Sequence, residues 1–213
     1  TWTVEAQPTG PAVNVRTPNI ATVCAGQIVS ATFTAGTGGV GCSDQFQYRF
    51  DGAGVWNSYT PGANISTAGT HTLLEIQGQR VNCSAGAGCT GTAWATLTTW
   101  NIVPQPVNPT LNLKSPAIPS VCDGQDVSAT FNAGTNGVTC RDTFNYRYDG
   151  AGLWIAYTPG NLISTAGHTL VEIQAQRGAC DPLSGCNSTA WITLASWTVV
   201  PQPVSPTLNV KTP

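Results

Sequence analysis

The stretch Gln47 to Gly62, QYRFDGAGVWNSYTPG, returns as Asn145 to Gly160, NYRYDGAGLWIAYTPG. That internal repeat restricts the chain to architectures built twice. Aligning Ile20–Val103 with Ile118–Val200 needs one gap, opposite Thr70, and 52 of the 83 aligned pairs are identical. Each half of the 213 residues is long enough to bury a core of its own. The expected domains are therefore a first repeat at 9–104 and a second at 105–202. Thr1-Trp2-Thr3-Val4 matches Thr99–Ile102 and Ser196–Val199, and Pro206–Lys211 matches Pro109–Lys114. Residues 1–8 thus read as the last-strand stub and junction of a preceding repeat, and 203–213 as the first-strand stub of a following one. Two repeats flanked by stubs imply a longer tandem array.

Within a copy the hydrophobic period is two throughout. Val29, Ala31 and Phe33 alternate with Ser30, Thr32 and Thr34, and Phe46, Tyr48 and Phe50 alternate with Gln45, Gln47 and Arg49. Such alternation marks strands with one buried face. Asp-Gly-Ala-Gly at 51–54 and at 149–152 reads as a hairpin turn, and Thr-Pro-Gly ends the short strand that follows. Further strands are predicted near 12–16, 63–67, 71–80 and 92–103, with counterparts in the second copy. Arg49 and Glu75 fall on outward faces of neighbouring strands, as do Arg147 and Glu172, and could pair there, a contact worth roughly 0 to 1 kcal/mol. Seven short strands per repeat, frequent turns and no helical period predict an all-β protein. Its expected form is two tandem immunoglobulin-like β-sandwich domains with partial flanking repeats.

Charged residues form only 8% of the chain and the net charge is −2. Neither nucleic acid nor an anionic membrane surface would find an electrostatic footprint here. No apolar run reaches the length of a membrane span, so no membrane insertion is expected of this segment. Twelve of the fifteen prolines lie in the junction segments, among them Pro8, Pro104, Pro106, Pro201 and Pro203. They predict short, semi-rigid connectors. Residues 103–118 hold no Asp or Glu, which argues against calcium at that junction.

Eight cysteines, four per copy, point to disulfides formed in an oxidising compartment. Cys83 and Cys89, and likewise Cys180 and Cys186, bracket a loop short enough to close on itself. Local bridges Cys83–Cys89 and Cys180–Cys186 are therefore expected; zinc is the minor alternative, since these loops contain no His. Cys24, Cys42, Cys122 and Cys140 have no evident partner. A straight strand between Cys24 and Cys42 would hold them about 25 Å apart, too far to bridge. Two pairings remain open: Cys24 with Cys140 of the following module, or Cys24 with Cys42 around a bent strand.

Catalytic constellations are missing from the pattern. His71 and His168 stand alone at equivalent strand starts, and Asp51 and Asp149 sit in Asp-Gly turns, where they have a conformational role. No cofactor is expected, and the chain is not expected to be an enzyme. Taking Leu97 and Leu194 as inward-facing puts Trp94, Trp100, Trp191 and Trp197 on the opposite face by alternation. They would cover an edge of the sandwich, or form an exposed aromatic strip that contacts a surface or a sugar.

The order Cys-x-Gly-Gln-x-Val-Ser-Ala-Thr-Phe, Tyr-Arg-(Phe/Tyr)-Asp-Gly, Trp-x-x-Tyr-Thr-Pro-Gly, Ile-Ser-Thr-Ala-Gly and His-Thr-Leu occurs in both copies, with Asp126 before Val127 and Ile28 before Val29 at the variable position. It resembles bacterial Ig-like repeats of very large secreted surface proteins, including adhesins of gliding-type bacteria. The resemblance spans essentially the whole chain. It implies a structural module of an extracellular filament or stalk supporting adhesion. The expected partners are neighbouring repeats of the same chain, then lateral copies of the filament or surface glycans. The alternatives are multivalent carbohydrate-binding repeats, or a fibre of two-module subunits joined by strand addition.

Overall fold

The structure is a computed structural model and describes Thr1 and residues 3–206. The first repeat forms β1 (Ala12–Thr17), β2 (Thr22–Cys24), β3 (Ile28–Thr34), β4 (Ser43–Phe50), β5 (Asn57–Ser58), β6 (Ile65–Ser66), β7 (Leu73–Val81) and β8 (Ala95–Val103). These make a three-stranded sheet in the order β1-β3-β6 and a five-stranded sheet in the order β2-β8-β7-β4-β5. The second repeat forms β9 (Thr110–Ser115), β10 (Ser120–Cys122), β11 (Asp126–Asn132), β12 (Arg141–Tyr148), β13 (Ile155–Ala156), β14 (Ile163–Ser164), β15 (Leu170–Gly178) and β16 (Ile192–Val200). Its sheets repeat the plan, as β14-β11-β9 and β10-β16-β15-β12-β13. Each repeat is an immunoglobulin-like β-sandwich.

The alternation of apolar residues explains why two sheets close on one another. From β3, Val29 and Ala31 meet Leu74 and Ile76 of β7 and Ile102 of β8 in one buried cluster. Phe33 of β3 stacks on Phe46 of β4 with ring centroids 4.6 Å apart, joining the two sheets. In the second repeat Phe131 and Phe144 do the same at 4.6 Å. The hydroxyl of Tyr59 accepts from the Ala31 amide at 2.8 Å and donates towards the Ala31 and Ala63 carbonyls, each at 3.0 Å. It thereby satisfies the backbone of β3 beyond the short β6, where no strand continues the ladder.

Each repeat has eight strands where seven were expected. The additional one, β2 or β10, is three residues long and pairs in parallel with the last strand, Thr22 opposite Asn101 and Ser120 opposite Thr198. So brief a segment carries no readable period. Arg49 lies opposite Glu75 in the β4–β7 ladder and its Nε donates to Glu75 Oε2 at 2.8 Å; Arg147 and Glu172 repeat the bond at 2.8 Å. Both pairs were anticipated from alternation.

The tryptophan expectation fails for two of four residues. Trp100 and Trp197 are fully buried in the two cores, whereas Trp94 and Trp191 are 37% and 39% exposed. The cause is a β-bulge. In β8 the partners run Ile76 with Thr98, then Gln77 with Thr96, leaving Leu97 as an extra residue. Leu194 is skipped in the same way in β16. One extra residue inverts the facing of all that follows, so Thr98, Trp100 and Ile102 turn inward.

Segments 3–8 and 203–206 form no strand. An isolated strand has no ladder to join. Trp2 and the remainder of the expected C-terminal stub, 207–213, lie outside the described residues.

By packing, the chain divides into two compact units. The first contains Thr1–Pro106 together with Asn136–Cys140 and Ala179–Asn187; the second contains Val107–Thr135, Arg141–Gly178 and Ser188 onward. Two loops of the second repeat are thus built into the first unit.

Candidate functional site

The cysteines set the chemistry of those loops. Three disulfides are present, Cys42–Cys83, Cys140–Cys180 and Cys24–Cys186, while Cys89 and Cys122 are free thiols. The local bridges Cys83–Cys89 and Cys180–Cys186 are not formed, and Cys24 joins neither Cys140 nor Cys42. Strand register accounts for the difference. The β4–β7 ladder ends with Ser43 opposite Val81, and the β12–β15 ladder with Arg141 opposite Gly178. Cys42 and Cys83 therefore meet just past the end of their ladder with Cα atoms 3.9 Å apart, as do Cys140 and Cys180. Each takes one end of the Cys-bounded loop and leaves Cys89 or Cys186 to look elsewhere.

Cys186 finds Cys24, 162 residues away and at the end of β2. The contact lies within the first compact unit and is more than a bare bond. The Cys24 amide donates to the Ser184 carbonyl at 2.8 Å. Gln27 Nε2 donates to the Leu183 carbonyl at 3.4 Å, and Ser184 is fully buried. Gln105 spans the assembly with its amide group: Nε2 donates to the carbonyls of Ala25 at 2.7 Å and Gly185 at 3.1 Å, and Oε1 accepts from the Asn187 amide at 2.9 Å. Val138 donates its amide to Cys186 Sγ at 3.2 Å.

The Cys loop of the first repeat is prepared in the same way. Gln7, the counterpart of Gln105, donates from Nε2 to the Gly88 carbonyl at 3.3 Å and accepts at Oε1 from the Thr90 amide at 3.1 Å. The Val40 amide donates to Cys89 Sγ at 3.4 Å, as Val138 does to Cys186. Gly39 donates its amide to the Ala6 carbonyl at 2.8 Å, and Gly137 to the Pro104 carbonyl at 3.2 Å. In the sequence the junction glutamines are marked only by their recurrence at 7, 105 and 202.

A second element missed in the sequence supports these loops. Arg80 Nη1 donates to Asp44 Oδ1 at 3.0 Å and Arg80 Nε to the Gly38 carbonyl at 3.1 Å, while Asp44 Oδ2 accepts from the Gly36 amide at 2.8 Å. Asp142 holds the Gly134 amide at 2.8 Å and pairs with Arg177 at 2.9 Å. The signal was available, because Asp44 and Arg80 both recur.

At the opposite end of the β4–β7 ladder, Asp51 and His71 form a closed structural group. Asp51, at φ 58°, accepts at Oδ1 from the amides of Thr72 at 2.6 Å and Leu73 at 3.3 Å, and its Oδ2 lies 2.8 Å from His71 Nδ1. His71 stacks on Phe50 with centroids 4.0 Å apart. Asp149 and His168 repeat the arrangement. Chiefly the Thr72 amide, then the His71 ring, hold the Asp51 carboxyl well below the usual carboxylate range; the Thr169 amide and His168 act likewise on Asp149. The hydroxyls of Thr72 and Thr169 donate to the same carboxylates, at 3.0 and 2.8 Å. Among the described residues no cluster of His, Cys, Asp and Glu could hold a metal ion, and no helix is long and apolar enough to cross a membrane.

A groove of about 560 Å³ runs along the first sandwich between β1 and β8, lined by Val13, Val15, Arg16 and Thr99 among others. Among the described residues the outer edge of β1 has no strand partner, which is the geometry that strand addition requires. Arg16 crosses it and donates to the Thr99 carbonyl at 3.2 Å; in the second sandwich Lys114 donates to the Ser196 carbonyl at 2.8 Å. A cation over an open edge opposes further pairing.

These features define a tandem Ig-like protein whose successive repeats share a disulfide. No protein-family model matches the chain, and no curated protein matches it. Among solved structures, a Ca2+-stabilised adhesin that helps an Antarctic bacterium reach out and bind ice is similar over 92% of this chain, at 14% identity and a TM-score of 0.47. This chain spans only 50% of that adhesin chain. The FN1–FN3 domains of chicken CNTN1 are similar over 85% of this chain and 67% of their own, at 8% identity and a TM-score of 0.30.

Proposed function

We propose that this chain is a structural segment of an extracellular bacterial surface filament or stalk, a disulfide-stabilised Ig-like array that supports adhesion and has no catalytic role. The observation that carries the proposal is the Cys24–Cys186 bond, which ties one repeat to the Cys loop of the next. A covalent tie from repeat to repeat serves load and persistence, and three disulfides in 213 residues fit an oxidising compartment. Antibody raised against the chain should label threads on intact, unpermeabilised producer cells in electron micrographs. Label confined to the cytoplasm, with all eight cysteines reduced, would reject the assignment.

Carbohydrate binding is the second candidate, favoured by the exposure of Trp94 and Trp191 at equivalent positions in the two repeats. A glycan array probed with the chain and with the Trp94→Ala/Trp191→Ala variant tests it. Glycan signal that vanishes in the variant supports binding, and absence of signal from the unaltered chain removes this candidate.

A further inference from the structure

Equivalent residues of the two repeats differ in exposure around one place, the end of β2 in the first and of β10 in the second. Cys24 is fully buried, while its counterpart Cys122 is a partly exposed thiol. Ile20 and Val103 are partly covered, while Ile118 is 50% and Val200 41% exposed. An open groove of about 310 Å³ lies there, lined by Ile118, Cys122, Gln125 and Val200 among others. In the first repeat the corresponding ground is held by the 183–186 segment, so closely that Gly185 has no room for a Cβ beside Gln27. Gln125, counterpart of Gln27, donates instead to its own neighbour, the Asp126 carbonyl, at 3.2 Å. Gln202 already donates to the Asp123 carbonyl at 2.7 Å, as Gln105 does to Ala25. One half of the Cys24 junction is thus built at Cys122.

The other half is built at Cys89. Its thiol sits on the Val40 amide as Cys186 sits on Val138, Gln7 grips the loop as Gln105 does, and Ala87 donates its amide to the Ser84 carbonyl at 3.2 Å where Ser184 donates to Asp181 at 3.1 Å. A Cβ on Gly88 would meet open space. We infer that the Cys122 groove is the docking site for the Cys-bounded loop of another copy of this repeat, and that Cys122 of one copy and the Cys89-type cysteine of the next form a head-to-tail disulfide. The internal Cys24–Cys186 junction is the template. This inference rests on the tandem-array reading for its setting, but its chemistry is tested separately.

The bond forms by thiol–disulfide exchange with a small disulfide. One protein thiolate attacks it, forming a mixed disulfide and releasing one small thiolate; the second protein thiolate then attacks the protein sulfur of that mixed disulfide and expels the other small thiolate, so the small disulfide takes up two electrons while the protein forms one S–S bond.

The experiment uses the 213-residue chain in a glutathione redox buffer, with non-reducing gels and peptide mapping. The unaltered chain should give a ladder of linked multimers whose new bond is Cys89–Cys122. Cys89→Ser and Cys122→Ser variants, each unable to extend, should give only a heterodimer when mixed. Ile118→Asp, which keeps both thiols, should slow ladder formation by about tenfold or more, because a charge is then pressed against the incoming loop. Monomer alone with Cys24–Cys186 intact, an intramolecular Cys89–Cys122 bond, or symmetric Cys89–Cys89 and Cys122–Cys122 links as abundant as the mixed one would each overturn the inference. A cytoplasmic location would reject the filament while leaving this pairing measurable.

Discussion

The indole Nε1–H of Trp100 donates to the carbonyl oxygen of Pro18 at 3.1 Å, and Trp197 repeats the bond to Pro116 at 2.9 Å. Each tryptophan thereby fastens the last strand of its sandwich to the turn that carries the chain from one sheet to the other. Trp100→Ala should lower unfolding free energy by about 3–5 kcal/mol, the usual cost of emptying a core aromatic site. Trp100→Phe fills most of the volume but leaves the Pro18 carbonyl without this donor, a loss of about 1 kcal/mol beyond the change in packing. Trp94→Ala, at a site 37% exposed, should cost far less. Urea unfolding of the three variants checks the order.

Thr98 is buried beside Trp100, and its hydroxyl has no hydrogen-bond partner, alone in this among the buried side chains of the described residues. The second repeat places Ala195 at the same point. Thr98→Ala should therefore leave stability unchanged or raise it by about 1 kcal/mol, since it removes an unsatisfied polar group at little cost in volume. Thermal melts of the variant and the unaltered chain settle the sign.

Breaking Cys42–Cys83 with Cys42→Ser/Cys83→Ser opens a loop that spans 41 residues. Chain entropy predicts a loss of about 2–4 kcal/mol. Partial proteolysis and peptide mapping under non-reducing conditions should recover Cys42 linked to Cys83 from the unaltered chain. A Cys83–Cys89 peptide would instead restore the local pairing suggested by spacing alone.

Acid should loosen both sandwiches through Asp51 and Asp149. Each carboxyl is held below its ordinary value of about 3.9 by hydrogen bonds to the charged form. A depressed folded-state value means that the stabilisation is complete above the unfolded value and disappears as pH falls through the folded one. Melting temperature should stay level from neutral pH to about pH 5 and fall below about pH 4. In Asp51→Asn/Asp149→Asn the fall should be shallower, with a remainder from the Arg–Asp and Arg–Glu pairs. Melts between pH 2 and pH 7 test it.

What could be read in the sequence was whatever depends on local period. The repeat, the strands from β3 to β8, the hairpin around Asp51 and the Arg49–Glu75 pair all follow from alternation and turn chemistry over a few residues. Trp100 escaped because a single extra residue at Leu97 reverses that alternation, and nothing in the local letters marks a bulge. The disulfides escaped for a different reason. Cys42 and Cys83 are brought together by the register of two strands, and Cys24 and Cys186 by the seating of a loop on a neighbouring repeat. Neither distance is encoded in spacing along the chain. Gln105 was invisible for the same cause, since its three partners come from two distant segments.

The Cys24–Cys186 bond spans 162 residues, whereas Cys24 recurs as Cys122, only 98 residues on. Its reach is longer than the period. A single protease nick anywhere between Cys24 and Cys186 would leave both fragments in one covalent piece. If Cys122 makes the next link, successive spans overlap and every peptide bond from the first linked cysteine to the last is bypassed by at least one S–S bridge. Such a strand could be cut once at any point between them without parting, and would be severed only by a second cut or by a reductant.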